Sequence, residues 1–140
     1  PNTAIEVMQS MTFIASHNAD KEQEDLIVGL FDKLGNAMLI EEDQMTAGTA
    51  LASCGIAYAL RYIRAAMEGG IELGFYPDQS KEIVVETIQG ALDLLRENKS
   101  NPETEIDKVT TPGGITIRGL NEMEMNGFTA AVIKGLRASK

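Results

Sequence analysis

Residues 109–120, VTTPGGITIRGL, hold the side chains whose types and order best suit chemistry. Pro112 keeps Thr111 out of the helical region, while Gly113 and Gly114 let the backbone turn and a ligand approach closely. Helical patterning resumes at Ile115, which predicts several unpaired N–H groups and a positive dipole end directed at the loop. The hydroxyls of Thr110, Thr111 and Thr116 add donors. Such a loop suits a small anion, a carboxylate or a phosphate. The same residues also make a plain helix–helix connection with a proline–glycine turn, and both readings stand on the residues alone. No lysine follows the glycines, so this is not a Walker-type phosphate loop.

Other candidates carry less. Cys54 has no positioned base, since the sole histidine, His17, falls in a different region. With Ala52, Ser53 and Gly55 around it, Cys54 reads as a small buried residue where a helix packs closely. Met123 and Met125 read as core filler. Asp20, Glu22, Glu24 and Asp25 sit in first helical turns, where the dipole favours acids. Glu41, Glu42 and Asp43 are adjacent loop carboxylates, too little for a divalent-ion site, and no metal is expected.

These residues must be positioned by two regions of different texture. Residues 1–42 read as strand, helix, strand. The run from Met11 to Ala15 is apolar without helical period. Asp20 and Gln23 form a capping-box pattern, and Leu26, Ile27, Leu30, Phe31 and Leu34 share one helical face up to Gly35, placed as a C′ glycine. Ala37 to Ile40 is the second strand. Two parallel strands joined through a helix make a poor sheet alone, so this region looks like the edge of a larger one.

From residue 43 on the pattern is helical. Ile56, Leu60, Ile63 and Met67 mark a helix over residues 53–67, read as ending at Gly69 and Gly70. Tyr76, Pro77 and Asp78 form a turn and cap before a long helix carrying Ile83, Val84, Ile88, Leu94 and Leu95. Asn101 and Pro102 are the N-cap and N1 of a short helix reaching Val109. Two further helices are predicted, from Ile115 to about Met125 and from Phe128 to about Ala138. The expected fold is mainly α, with a short strand–helix–strand piece in front.

Composition narrows the function. At 140 residues the chain is about one domain, and its 44% apolar and 24% charged residues are ordinary for a globular protein. Twelve Lys and Arg against 21 Asp and Glu give −9, which disfavours nucleic-acid or anionic-membrane partners. One cysteine forbids an internal disulfide, and a single histidine disfavours a zinc set or a serine-type triad. No run approaches the ~18 apolar residues of a membrane span, and the N-terminus lacks a signal-peptide pattern. The expected compartment is the cytoplasm. Opening at Pro1, without an initiator Met, the chain is expected to be a cut or processed product.

The Pro-Gly-Gly segment, with Asn126, Gly127, Phe128 and a final helix, resembles the C-terminal signature of pyrroline-5-carboxylate reductase. The rest agrees in order. Pro1, Asn2 and Thr3 resemble that family's Met-Pro-Asn-Thr, and residues 53–58, SCGIAY, resemble its Gly-Ser-Gly-Pro-Ala-Tyr. Residues 69–80, GGIELGFYPDQS, resemble its connection between helices. Ser53, Cys54 and Ile56 depart from the pattern, which leaves the local helix start open.

The resemblance implies an NADP- or NAD-dependent reductase that moves hydride to the C=N carbon of pyrroline-5-carboxylate, giving L-proline. It implies that residues 1–42 are the remnant of a dinucleotide-binding Rossmann-type domain. Residues 43–140 would be a helical dimerisation and substrate-binding domain, forming a homodimer and possibly a higher oligomer. No Gly-x-Gly-x-x-Gly follows a strand, so this portion alone is expected to bind no nucleotide tightly and to be inactive. By the same resemblance, Thr111 and the amides of Gly114, Ile115 and Thr116 hold the substrate carboxylate. Thr116 is the catalytic residue, near the ring nitrogen, and Asn2 lies near the nicotinamide. The alternatives are a related dehydrogenase acting on another small carboxylate, or a non-catalytic helical dimerisation module.

Overall fold

A computed structural model describes all residues, Pro1–Lys140. The first element is a 3-10 helix, Thr3–Val7, absent from the sequence reading. Asn2 caps it, its side-chain oxygen accepting from the Ala4 amide at 3.2 Å. Strand β1 (Ser10–Ile14) and strand β2 (Gly35–Leu39) pair in parallel, Ser10 opposite Gly35 and Ile14 opposite Leu39. Helix α1 (Lys21–Phe31) joins them, with Asp20 and Gln23 forming the reciprocal capping box expected from their spacing.

Gly35 does not close α1 in a left-handed C′ conformation. A 3-10 turn, Asp32–Leu34, intervenes, and Gly35 opens β2 with φ +143°. The reason is close approach: a Cβ at Gly35 would lie 2.1 Å from the Ser10 carbonyl oxygen. Leu26, Ile27 and Leu30 on α1 remain largely exposed. The strand–helix–strand piece therefore presents exposed apolar side chains along one helix.

Helical backbone runs from Glu42 to Glu72 through four consecutive segments. A 3-10 turn, Glu42–Gln44, leads into α2 (Met45–Gly48), a π-helical turn, Thr49–Cys54, and α3 (Gly55–Glu72). Ser53, Cys54 and Ile56 thus do not interrupt it. Cys54, the last residue of the π-helical turn, is partly rather than fully buried. Gly69 and Gly70 do not end α3 as their type predicts. Gly70 makes room for Ser80, whose hydroxyl would be 2.2 Å from a Cβ there and which donates to the Met67 carbonyl at 2.8 Å. The turn falls instead at Gly74, φ +104°.

Of the remaining helices, α4 (Pro77–Asn98) takes in Pro77 and Asp78, leaving Tyr76 as its cap, while α5 (Pro102–Val109), α6 (Ile115–Met125) and α7 (Phe128–Ala138) fall at the expected bounds. Proline at N1 opens α4 and α5, and Asn101 caps α5 by accepting from the Thr104 amide at 3.0 Å.

Packing divides the chain into two compact units, Pro1–Ala59 with Val132–Lys140, and Leu60–Ala131. In the first, Ser10 and Thr12 are buried with their hydroxyls 3.2 Å apart, and the Asn2 amide donates to Ser10 Oγ at 3.1 Å. The Tyr58 hydroxyl bonds Ser139 and the Gly135 carbonyl, tying the last helix to the start of α3. In the second, Tyr62 and Phe128 meet edge-on with ring centres 6.2 Å apart.

The corner between α4 and α5 is held by Glu105, whose side chain is only 11% exposed. It accepts from the Ser100 hydroxyl, from Lys108 Nζ at 2.9 Å and from Asn98 Nδ2 at 3.1 Å. These donors, Ser100 first, hold its carboxyl down at about 2, against an ordinary 4.5. A depressed folded-state value means the network's support is complete above the ordinary carboxylate range and is lost as pH falls from there through about 2. Carboxyl-carbon NMR is expected to show Glu105 as the last glutamate to protonate on acidification. Titration together with the exposed glutamates would refute that assignment.

Candidate functional site

The loop between α5 and α6 is built from three local devices. Thr110 ends α5 by folding its hydroxyl onto that helix, donating to the carbonyls of Ile106 at 3.1 Å and Asp107 at 3.2 Å. Its hydroxyl is therefore spent, and Thr110 is not a ligand donor as the sequence reading had it. Residues 111–114 then form a hydrogen-bonded turn, the Gly114 amide donating to the Thr111 carbonyl at 2.9 Å. Proline in the second position and Gly113 at φ +71° in the third match a type II turn. Finally, Gly114 is the N-cap of α6 and offers no side-chain acceptor to the helix. The first-turn amides of Ile115, Thr116 and Ile117 thus point outward from an uncapped, electropositive end.

Thr111, Gly114, Ile115 and Thr116 are brought together here, all within the second unit. A Cβ at Gly114 would lie 2.6 Å from Thr111 Oγ1, so the glycine is what lets that hydroxyl sit against the helix end. Gly114 contributes that space, because its own amide belongs to the turn. Ile115 is 85% exposed, an apolar side chain standing free beside polar donors. Arg118 folds back and donates from Nη2 to the Gly113 carbonyl at 3.3 Å. Its position four residues after the N-cap was the available signal.

Asn2 belongs to the first unit and is considered there by itself. Its oxygen caps the first turn, and one Nδ2 hydrogen bonds the Ala52 carbonyl at 3.3 Å, in the π-helical turn. Open parallel sheets take ligands beyond the carboxyl ends of their strands. The open cleft of about 370 Å³ there is lined by Ser16, Glu24, Leu39, Ile40, Glu41 and Gln44. Two carboxylates in that cleft oppose a diphosphate, and the turn from β1 into α1 carries no glycine. These residues do not form a dinucleotide-phosphate cradle. No helix is long and apolar enough to cross a membrane.

An α/β edge, a long helical array and an uncapped Pro-Gly-Gly helix start define the class: a mainly helical domain following an α/β piece. A family model described as pyrroline-5-carboxylate reductase dimerisation matches residues 42–140, and the chain belongs to that family. Pyrroline-5-carboxylate reductase 1 and 2 of Dictyostelium discoideum are 46% and 41% identical to it, over 99% and 97% of this chain. The matches cover 27% and 50% of those two proteins, so the chain spans half or less of their length. The solved pyrroline carboxylate reductase of Plasmodium falciparum, with NADP bound, superposes with a TM-score of 0.92 at 27% identity. The reductase of Streptococcus pyogenes gives 0.94 at 30%. Each covers 99% of this chain, which accounts for 57% and 54% of theirs.

Proposed function

We propose that this chain is the dimerisation and substrate-binding portion of an NADP- or NAD-dependent pyrroline-5-carboxylate reductase, which makes L-proline. Residues 1–42 belong to its α/β nucleotide-binding part and residues 43–140 to the helical domain. The observation that carries the reading is the uncapped start of α6 beside the Thr111 hydroxyl, a fit for a carboxylate, in a chain of this family. Thr111 and the amides of Ile115 and Thr116 hold the substrate carboxylate, with Gly114 supplying the space. The Thr116 hydroxyl hydrogen-bonds the ring nitrogen. Hydride adds to the imine carbon, a proton ends on nitrogen, and fixing the anion orients that carbon for the transfer. The hydride comes from a nicotinamide cofactor whose phosphates these residues do not cradle; Asn2, with one N–H free, meets its nicotinamide end. The setting is a reducing cytoplasm, in keeping with one free thiol.

A chimera tests the function. Substituting this chain for the matching residues of the second Dictyostelium reductase is expected to preserve pyrroline-5-carboxylate-dependent oxidation of NADPH. A folded, NADPH-binding chimera without turnover would overturn the reading. The 140 residues alone are expected to show no micromolar affinity for NADPH by calorimetry; tight binding would mean the cofactor site lies here.

The second copy is part of this proposal. Leu60, Tyr62, Leu94 and Ile133 are exposed apolar positions on four faces of α3, α4 and α7. An open groove of about 780 Å³ between α4 and α5 has Ala91, Leu94, Leu95, Ile106 and Val109 along its floor. Apolar area of this extent is ordinarily closed by another subunit. Light scattering at tens of micromolar is expected to give twice the 15.1 kDa of one chain. A monomer would refute the pairing.

A further inference from the structure

Arg118 is the sole cation between Lys108 and Lys134 in the sequence, and Lys108 is engaged with Glu105 at 2.9 Å. Arg118 stands in the first turns of α6, where the dipole disfavours a positive charge. No carboxylate pairs with it, in a chain with 21 of them. Its guanidinium instead turns back across the helix end and holds the Gly113 carbonyl. The Gly113 carbonyl belongs to the Gly113–Gly114 peptide, whose N–H closes the turn onto the Thr111 carbonyl at 2.9 Å, so holding it steadies the turn that sets Thr111 against the amides of Ile115 and Thr116. An arginine has five N–H donors, and one such bond leaves most of them unspent. A local electrostatic rule is thus broken at the loop that must take an anion, and a bound carboxylate would reverse the penalty.

We propose that Arg118 is a positioning residue of the carboxylate site, clamping the Gly113 carbonyl and supplying the loop's one formal positive charge. This rests on the reading of residues 111–116 as the carboxylate site. The test is steady-state kinetics of the complete reductase with pyrroline-5-carboxylate, at low and high salt. Arg118→Gln is expected to raise KM about five- to tenfold with kcat within about twofold, and to flatten the rise of KM with salt. Arg118→Lys is expected to recover much of the KM and the salt response. An unchanged KM in a folded Arg118→Gln protein overturns the inference while the proposed function stands. So does a raised KM that lysine does not rescue and whose salt dependence is unaltered, since that is loss of packing alone. A wild-type protein inactive on this substrate overturns the function reading, and this inference falls with it.

Discussion

Replacing Gly35 with alanine is expected to destabilise the Pro1–Ala59 region by on the order of 3–5 kcal/mol, the range of strained or overpacked sites. Two independent penalties act at once. The backbone at φ +143° lies where L side chains rarely go, and the new Cβ would meet Ser10 backbone atoms at 2.1, 2.3 and 2.8 Å. Neither partner can yield by changing rotamer, because both are main chain in a paired register. The expected readout is loss of amide-exchange protection across β1 together with a lower urea midpoint. Gly29→Ala is the control: nothing lies within 4 Å of its Cβ, it sits inside α1, and alanine there is expected to gain up to about 1 kcal/mol. A Gly35→Ala loss below 1 kcal/mol would show that β1 and β2 can separate slightly at little cost.

Replacing Thr116 with valine in the complete reductase is expected to lower kcat/KM about tenfold or more, the loss of roughly one or two kcal/mol of hydrogen bonding in the transition state. Valine keeps the branched shape and the backbone amide, so the helix start and its dipole survive. What disappears is the hydroxyl proposed to meet the ring nitrogen. Thr111→Val is expected to act mainly on KM, because that hydroxyl is proposed to hold the carboxylate. Wild-type kinetics in a folded Thr116→Val enzyme would leave only the backbone amides as contributors.

Where proline, asparagine and glycine punctuate the chain, helix bounds were legible. Asn101 with Pro102, Gly114 before Ile115, and Asn126 with Gly127 each act within a few residues of themselves, so α5, α6 and α7 fell where their sequence places them. The misreadings share a cause. Gly70 is helical because Ser80, ten residues on, fills the space its missing side chain leaves. Gly35 is where it is because Ser10 lies against it. Neither partner is visible from local pattern. At the site, the turn and the helix start were readable, whereas the directions of the Thr110 hydroxyl and the Arg118 guanidinium were not. Those are rotamer choices decided by which carbonyl lies within reach.

The π-helical turn at Thr49–Cys54 has a consequence for chain length. Such a turn is an α-helix carrying one surplus residue, accommodated by bonds reaching one position further along. Removing a residue there would let the segment relax into ordinary α-helix while the faces of α2 and α3 kept their directions. Removing one in α3 ahead of Leu60 would swing Leu60, Ile63 and Met67 by about 100° relative to the preceding helix. The segment works as a tolerance joint: chains of this plan can differ by a residue here and still present the same surfaces, provided Gly48 keeps its seat against the Phe13 ring.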